Sequence, residues 1–468
     1  MDRLIWLFSN EIEALQSPGT TPIENPVSLP ERKKYLLRTQ GQHYRFDFDP
    51  RASQEYAVFQ DDDTALPEDT PQETATSITS LDLVVRGKLG TSLGFADAIH
   101  SRLFRGSDRY NPYPADLAEN SHRYGEFQNS NSMEGYLLYR FPWLTIEIGR
   151  DELWWGPGWH GALTLSDNSA SKDLIKLSGQ YDWIGFTALT ATLREPSDVY
   201  IPKYLSAHRL EIQPVPGVQL GVDEVVVYAD RFEASYLNPV IIYFITEPGL
   251  EKSPDNRLLG LDFDLTLMPR IEFYGELMID DFRSQEGINA FRAPETKFGV
   301  LLGAYWVDPL GLKDTDLRIE YAFINQFAYT HDAPETRYLH DGRIIGHWLG
   351  TDAEDLWLFA QHWFTPTMRM RLVYERERHG EGDVTKSLPY RRARDSALPP
   401  EAQRPDQWEY LSGVVETTHT IALGFSLHLI GRYLFDVEYA LLKRENIANQ
   451  VNADRDEGRL VIQARYQF

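Results

Sequence analysis

The last ten residues, RLVIQARYQF, put Leu460, Ile462, Ala464, Tyr466 and Phe468 on one face of an extended chain. Val461, Gln463, Arg465 and Gln467 fall on the other. The same period of two recurs upstream. Tyr433, Phe435, Val437, Tyr439 and Leu441 alternate with Leu434, Asp436, Glu438 and Ala440. Ile421, Leu423, Phe425, Leu427 and Leu429 alternate with Ala422, Gly424, Ser426 and His428. Each run is about nine or ten residues long, the length at which a tilted strand crosses a bilayer. One face is apolar, and the other carries charged and amide groups in strand after strand, as a wet lumen requires. A soluble β-sandwich also alternates, so the segments between the strands decide.

Counted back from Phe468, those segments are 442–459, 430–432, 377–407, 365–367, 330–355, 307–316, 281–297 and 268–270, long and short in turn. Short periplasmic turns against long external loops are the asymmetry of an outer-membrane barrel. Further strands fall near 258–267, 219–229, 207–213, 183–193, 171–179, 144–150, 133–140, 91–99 and 79–89, with one more inside 43–60. The expected fold is all-β, a transmembrane antiparallel up-and-down barrel of about eighteen strands, an even number as single-chain bacterial barrels require. Residues 43–468 would form it. Residues 1–42 would be a periplasmic segment, with Leu4, Ile5, Leu7, Phe8, Ile12 and Leu15 near helical spacing and a Pro-rich connector behind them.

Composition narrows the function. With 70 acidic and 46 basic residues the formal charge is −24, a field that repels nucleic acid. Cysteine is absent, which excludes disulfides, thiolate metal sites and a cysteine nucleophile. No window approaches the roughly 18 apolar residues of a membrane helix; the longest apolar run is VIIYFI, 240–245. The N-terminus MDRLIWLFSNEIEALQ lacks the layout of a signal peptide, so either the protein stays inside or this is a mature or truncated form whose export signal is missing.

One stretch breaks the alternation: GRDELWWGPGWHGALTLSDNS, 149–169. Before it, Ile146 and Ile148 face one side and Glu147 the other, and continued parity puts Arg150 against lipid. The strand is therefore expected to end or bulge near Gly149, with Asp151 to Ser169 in an external or inward-folded loop. Trp154, Trp155 and Trp159 suit a membrane girdle, a packed loop core or sugar-stacking platforms. Arg150, Asp151 and Glu152 with Ser166, Asp167 and Asn168 suit contacts to sugar hydroxyls, or a network that pins the loop. Asp151, Glu152 and Asp167 also offer the carboxylate pair of a glycosidase, but a chain this acidic makes such pairs by chance. No nucleophile elbow, phosphate-binding glycine loop or His-Glu-x-x-His motif is present. His347, His362 and His428 stand alone. No catalytic residue, metal site or cofactor is expected.

Two other stretches invite a role. YLNPVIIYFITEP, 236–248, lies in a long loop and is expected to fold over or into the barrel and occlude it, or else to be a binding patch. RERHG at 376–380 and YRRARD at 390–395, with Arg391 and Arg392, cluster cations on one external loop. They suit an anionic glycan or lipopolysaccharide phosphate, or simply a solvated loop.

The 149–169 stretch resembles the signature of the capsule assembly protein Wzi family. LNPVIIYF, NRLLGLDFDLTLMPRIEFYGELMIDDF (256–282) and DGRIIGHWLGTDAEDLWL (341–358) agree with it, over roughly residues 80 to 468. The resemblance implies an eighteen-stranded outer-membrane barrel, loops that close its pore and a small periplasmic helical element. It also implies lectin-like, non-enzymatic binding of capsular polysaccharide at the cell surface. Phe468 ends the chain on the terminal aromatic that such barrels present to their insertion machinery. The expected partners are thus capsular or other surface polysaccharide, outer-membrane lipid and lipopolysaccharide, and that machinery, with the protein itself a monomer. A porin or oligosaccharide channel is the alternative, and an envelope glycosidase the third reading.

Overall fold

Eighteen antiparallel strands follow one another up and down in the computed structural model, which describes residues 36–61, 75–195, 201–240, 242–243, 255–281, 296–385, 409–429 and 432–468. They are Tyr44–Asp61 (β1), Ala75–Leu89 (β2), Leu93–Gly106 (β3), Phe127–Arg140 (β4), Thr145–Asp151 (β5), Lys172–Tyr181 (β6), Ile184–Leu193 (β7), Lys203–Val215 (β8) and Val218–Ala229 (β9). The second half comprises Asn256–Met268 (β10), Ile271–Asp281 (β11), Lys297–Val307 (β12), Thr315–Ile324 (β13), Ala353–Thr365 (β14), Met368–His379 (β15), Glu416–Leu429 (β16), Tyr433–Glu445 (β17) and Arg455–Gln467 (β18). β18 pairs with β1 from Arg51↔Gln467 to Asp61↔Glu457, so the sheet closes. A closed sheet leaves no unpaired backbone edge, which lipid would penalise heavily. Two extra strands flank the wall: Leu37–Gln40 on β1 and Ser121–Tyr124 on β4. The helix expected over 1–16 lies outside the described residues.

The alternation of short and long connections holds around the whole barrel. Two to seven residues join the strands at one end, as at 182–183, 216–217 and 308–314, while the other end carries 107–126, 152–171, 325–352 and 380–415. At the short-turn end, exposed Trp143, Tyr181, Trp183, Tyr433 and Phe468 mark an aromatic girdle. Tyr466 links two of them, with ring centroids 4.8 Å from both Tyr433 and Phe468.

Several strands run farther toward the long loops than the apolar pattern indicates. β3 continues to Gly106 beyond the expected 99, β4 begins at Phe127 ahead of 133, and β17 reaches Glu445 past 441. These extensions (FQNSNS in β4, for example) lack an apolar face yet keep the backbone ladder, because above the hydrocarbon band water satisfies either side. The same effect corrects the reading of RERHG as loop. Arg376 and Arg378 belong to β15 and pair with the outward-facing Glu354 of β14, Arg378 Nη1 lying 2.7 Å from its Oε1.

The principal apolar core lies inside the barrel. Leu205, Val225, Leu258, Met278, Leu301 and Ile324 point inward from β8 to β13 and pack against Leu163 and Leu165, and against Tyr329 and Tyr338 of the 325–352 loop. The wall there is buried on both faces, which accounts for the unbroken apolar run of β9. Its outer face is covered by the described part of the segment expected to enter the barrel. Tyr236 and Tyr243 pack on Val226 and Tyr228, which share the outward parity of exposed Leu220. The Tyr243 N–H donates to Glu224 Oε2 at 2.8 Å. The expectation that this loop occludes the lumen is thus corrected for its described part. Ser206, His208 and Glu224 face outward near the rim and need polar and aromatic cover that lipid cannot give.

Candidate functional site

β5 neither ends nor bulges at Gly149. Its register continues unbroken through Gly149, to Arg150 against β4 and to Asp151 against β6. Gly149 has φ +151°, and a Cβ there would fall on the Gly135 carbonyl, so glycine lets the two strands approach. Arg150 does point outward, as parity requires, and its guanidinium grips Asp173 of β6 with two bonds, Nε–Oδ1 2.7 Å and Nη2–Oδ2 2.9 Å. That bidentate pair at the rim offsets the cost that argued for an earlier exit.

From Glu152 the chain turns into the lumen, and wall carboxylates catch it. Glu276 of β11 accepts the Gly158 N–H at 2.8 Å and the Leu163 N–H at 2.7 Å. Glu320 of β13 accepts the N–H groups of Trp159 (2.8 Å) and His160 (2.9 Å), and the Tyr274 hydroxyl at 2.7 Å. The Gly-Pro-Gly sequence exists for this approach: Gly156 has φ +114°, and a Cβ on it would overlap the Glu276 carboxylate. The 325–352 loop closes over the other side. Tyr329 and Tyr338 donate to the carbonyls of Leu163 (2.6 Å) and Thr164 (2.7 Å), and the Ser166 N–H donates to Ile345 O at 2.9 Å. A third loop enters beside β1: Tyr110 donates to Glu55, and Arg102 Nη1 reaches Asp116 Oδ2 at 2.7 Å.

The residues proposed from sequence separate into distinct environments. Trp155 is buried in the core, its N–H donating to Leu165 O at 2.9 Å. Asp151 points inward to Lys176, 3.3 Å away. Asn168 ties the two loops together, its Nδ2 donating to Ile344 O at 2.8 Å while Arg343 donates to its side-chain and backbone oxygens. Glu152 and Trp154 are half-buried and Asp167 is exposed. Trp159 is 37% exposed and has the Arg318 guanidinium 4.3 Å from its ring centre. Arg318 pairs in register with Tyr305 near the short-turn end of β13, so Trp159 faces the lower half of the lumen, away from Asp167. Arg391 and Arg392 lie outside the described residues.

The outer face of this plug is polar. Its two-residue hairpin, Leu339–His340 with Arg343–Ile344, stands level with the long-loop end of β7. There Arg194 Nη2 meets Asp341 Oδ2 at 2.7 Å, and the Arg194 N–H donates to His340 Nδ1 at 2.9 Å. Burial first, and then the cations Lys172, Arg194 and Lys203, push the His340 pKa down to about 2. The ring is neutral, as its accepting Nδ1 requires. Glu276 and Glu320, which fix the plug, were not singled out from sequence. Their inward parity is visible in IEFYGELMIDD and TDLRIEYAFI, but there they look like any other lumen carboxylates.

Comparison with known proteins adds the context. A family model described as Capsule assembly protein Wzi matches residues 94–457. No curated protein matches by sequence. Among solved structures, the Escherichia coli outer-membrane protein Wzi, a carbohydrate-binding β-barrel involved in group 1 capsule assembly, is similar with TM-score 0.54 at 15% identity, over 89% of this chain and 84% of that one. OpdK of Pseudomonas aeruginosa is a weaker likeness, with TM-score 0.47 at 11% identity over 90% and 99% of the two chains. OpdQ of the same organism gives 0.46 at 9% over 91% and 97%. The family match spans most of the barrel, and the inward-folded stretch that carries the resemblance lies within it: the chain belongs to the capsule assembly protein Wzi family.

Proposed function

We propose that this outer-membrane barrel holds a surface polysaccharide, capsular in the family's sense, as a non-catalytic, lectin-like binder at its extracellular end. The observation that carries the reading is the plug, whose outer face offers charged groups of both signs at fixed positions. Asp167, Asn168, Arg194, Asp341 and Arg343 form this surface, and the wall below holds them before any ligand arrives. Fixed donors and acceptors suit sugar hydroxyls and carboxylates, and binding then costs little ordering. The carbohydrate binding stated for E. coli Wzi supports the same reading. Of the three tryptophans, Trp155 serves packing, Trp159 faces the opposite side, and Trp154 is retained as a stacking contact. Arg150, Asp151 and Glu152 support the loop. Arg391 and Arg392 are proposed contacts on charge alone. Lipopolysaccharide around the wall, insertion by the barrel machinery and a monomeric state complete the proposal.

Titration with capsular polysaccharide purified from the host tests it. Arg194→Ala should weaken binding about tenfold or more, ~1.4 kcal/mol, while Trp159→Ala stays within about twofold of wild type. Folded Arg194→Ala and Asp167→Ala variants that bind as wild type would overturn the assignment of this face.

A further inference from the structure

Where the plug meets β14 and β15, His160, Asp355 and Glu375 bring one imidazole nitrogen and two carboxylate oxygens within 4.8 Å of one another. His160 Nε2 lies 2.9 Å from Glu375 Oε1. The wall register pairs Trp357 with Glu375 and Asp355 with Glu377, so Asp355 and Glu375 are diagonal neighbours on the lumen face. His160 comes from the inserted loop, 215 residues away from Glu375 in sequence. No local motif could have announced the group.

Asp355 is 3% exposed, and among the described residues its Oδ1 meets no hydrogen-bond donor. A buried carboxylate oxygen without a donor is costly, and a second carboxylate beside it adds repulsion in a water-poor site. The Nε2 proton of one imidazole serves only one acceptor, and Glu375 takes it. A cation placed between the three groups satisfies all of them together.

The imidazole is also held as a ligand has to be. Its ring stacks on Trp357 at 4.9 Å with 9° between planes and meets the edge of Trp348 at 5.2 Å and 78°. Its backbone N–H is bonded to Glu320 and its carbonyl accepts Trp348 Nε1 at 2.8 Å. The nitrogen is therefore presented from a fixed position.

We propose that His160, Asp355 and Glu375 bind one divalent cation of the zinc class, and that the ion clamps the inserted loop to the wall. One nitrogen with two carboxylates suits Zn²⁺, which takes His and Asp or Glu ligands and completes its shell with water. Ca²⁺ and Mg²⁺ favour all-oxygen sets. On binding, Nε2 becomes the lone-pair donor: a neutral ring transfers its one proton to Nδ1 through water, a protonated ring releases the Nε2 proton to solvent and keeps that on Nδ1, and Glu375 exchanges its hydrogen bond for a metal bond.

The test uses the full chain in detergent micelles, stripped with EDTA, desalted and titrated with ZnCl₂, with retained metal measured by mass spectrometry after dialysis. One Zn²⁺ per chain is expected, with affinity lowered at least about tenfold in Asp355→Asn and in Glu375→Gln. Zn²⁺ should raise the unfolding temperature of the wild type and leave both variants unmoved. Heat-dependent gel mobility verifies that each barrel is folded, and His122→Ala, on an exposed loop-side strand, should retain full stoichiometry. No retained zinc in the wild type would overturn the site. So would equal retention by either folded carboxylate variant, or displacement of zinc by equimolar Ca²⁺.

Discussion

Glu276 is a wall residue that acts as a cap for a loop. It accepts two backbone N–H groups of the inserted segment, both buried, and a neutral amide of the same shape offers one acceptor oxygen in place of two. Glu276→Gln should loosen the plug by about 1–3 kcal/mol. It would be read as faster hydrogen exchange at residues 158–163 with the wall strands still protected; unchanged exchange would refute the capping role. Gly156 is the matching constraint on the loop side. Gly156→Ala forces a side chain into φ +114° against Glu276, a strain of order 1–3 kcal/mol, and should lower the thermal unfolding midpoint while the barrel still inserts. Arg150 illustrates the limit of parity at this scale. Its outward direction followed from the sequence, but Asp173 as its partner across β6 did not, because a strand pair brings together residues that no spacing rule links.

At the level of elements, strands were legible wherever lipid touches one face and water the other, as in β16, β17 and β18. They were less legible above the membrane, where β3 and β4 keep their ladder without an apolar stripe. In β8 to β13, where the plug makes the inner face apolar too, the strands were placed from sequence, but the plug that packs against their inner face was not. The aromatic loop around Tyr236 and Tyr243 reads as a plug because it is apolar, yet it lies on the outer wall over Glu224 and Tyr228. Hydropathy alone does not tell the two sides of a barrel apart. The hairpin of the 325–352 loop carries its own pH dependence. His340 titrates near 6.5 in an open chain but only at about 2 when closed, because of burial and the three neighbouring cations. Protonation therefore favours the open loop. The closure is fully supported above pH 6.5 and weakens as pH falls toward 2, by about 1.4 kcal/mol per unit. Hydrogen exchange at residues 338–346 should be faster at pH 5 than at pH 7.5 after intrinsic correction, and His340→Gln should flatten the difference. A wild-type loop that tightens on acidification would contradict this.

For the whole molecule, closure of the sheet and insertion of the loops are two separate achievements of the sequence. Closure follows from eighteen alternating segments and the β1–β18 pairing, and the length rhythm of the connections was enough to anticipate it. Filling the lumen depends on wall carboxylates from β11 and β13 meeting a glycine-rich loop more than a hundred residues upstream. That pairing was hidden among 70 acidic residues. The stretch GRDELWWGPGWHGALTLSDNS accordingly marks the family by what it must fit. It offers few groups to solvent, and its outer end, with Arg194 and the hairpin, is the surface we propose for a polysaccharide. On this geometry the loops make the barrel a closed scaffold with a fixed outer face. Single-protein conductance in planar bilayers tests it most directly. No steady porin-sized current is expected from the intact chain, and a steady current is expected once 153–168 are replaced by a short Gly-Ser linker. A stable open channel of porin size in the intact protein would contradict it.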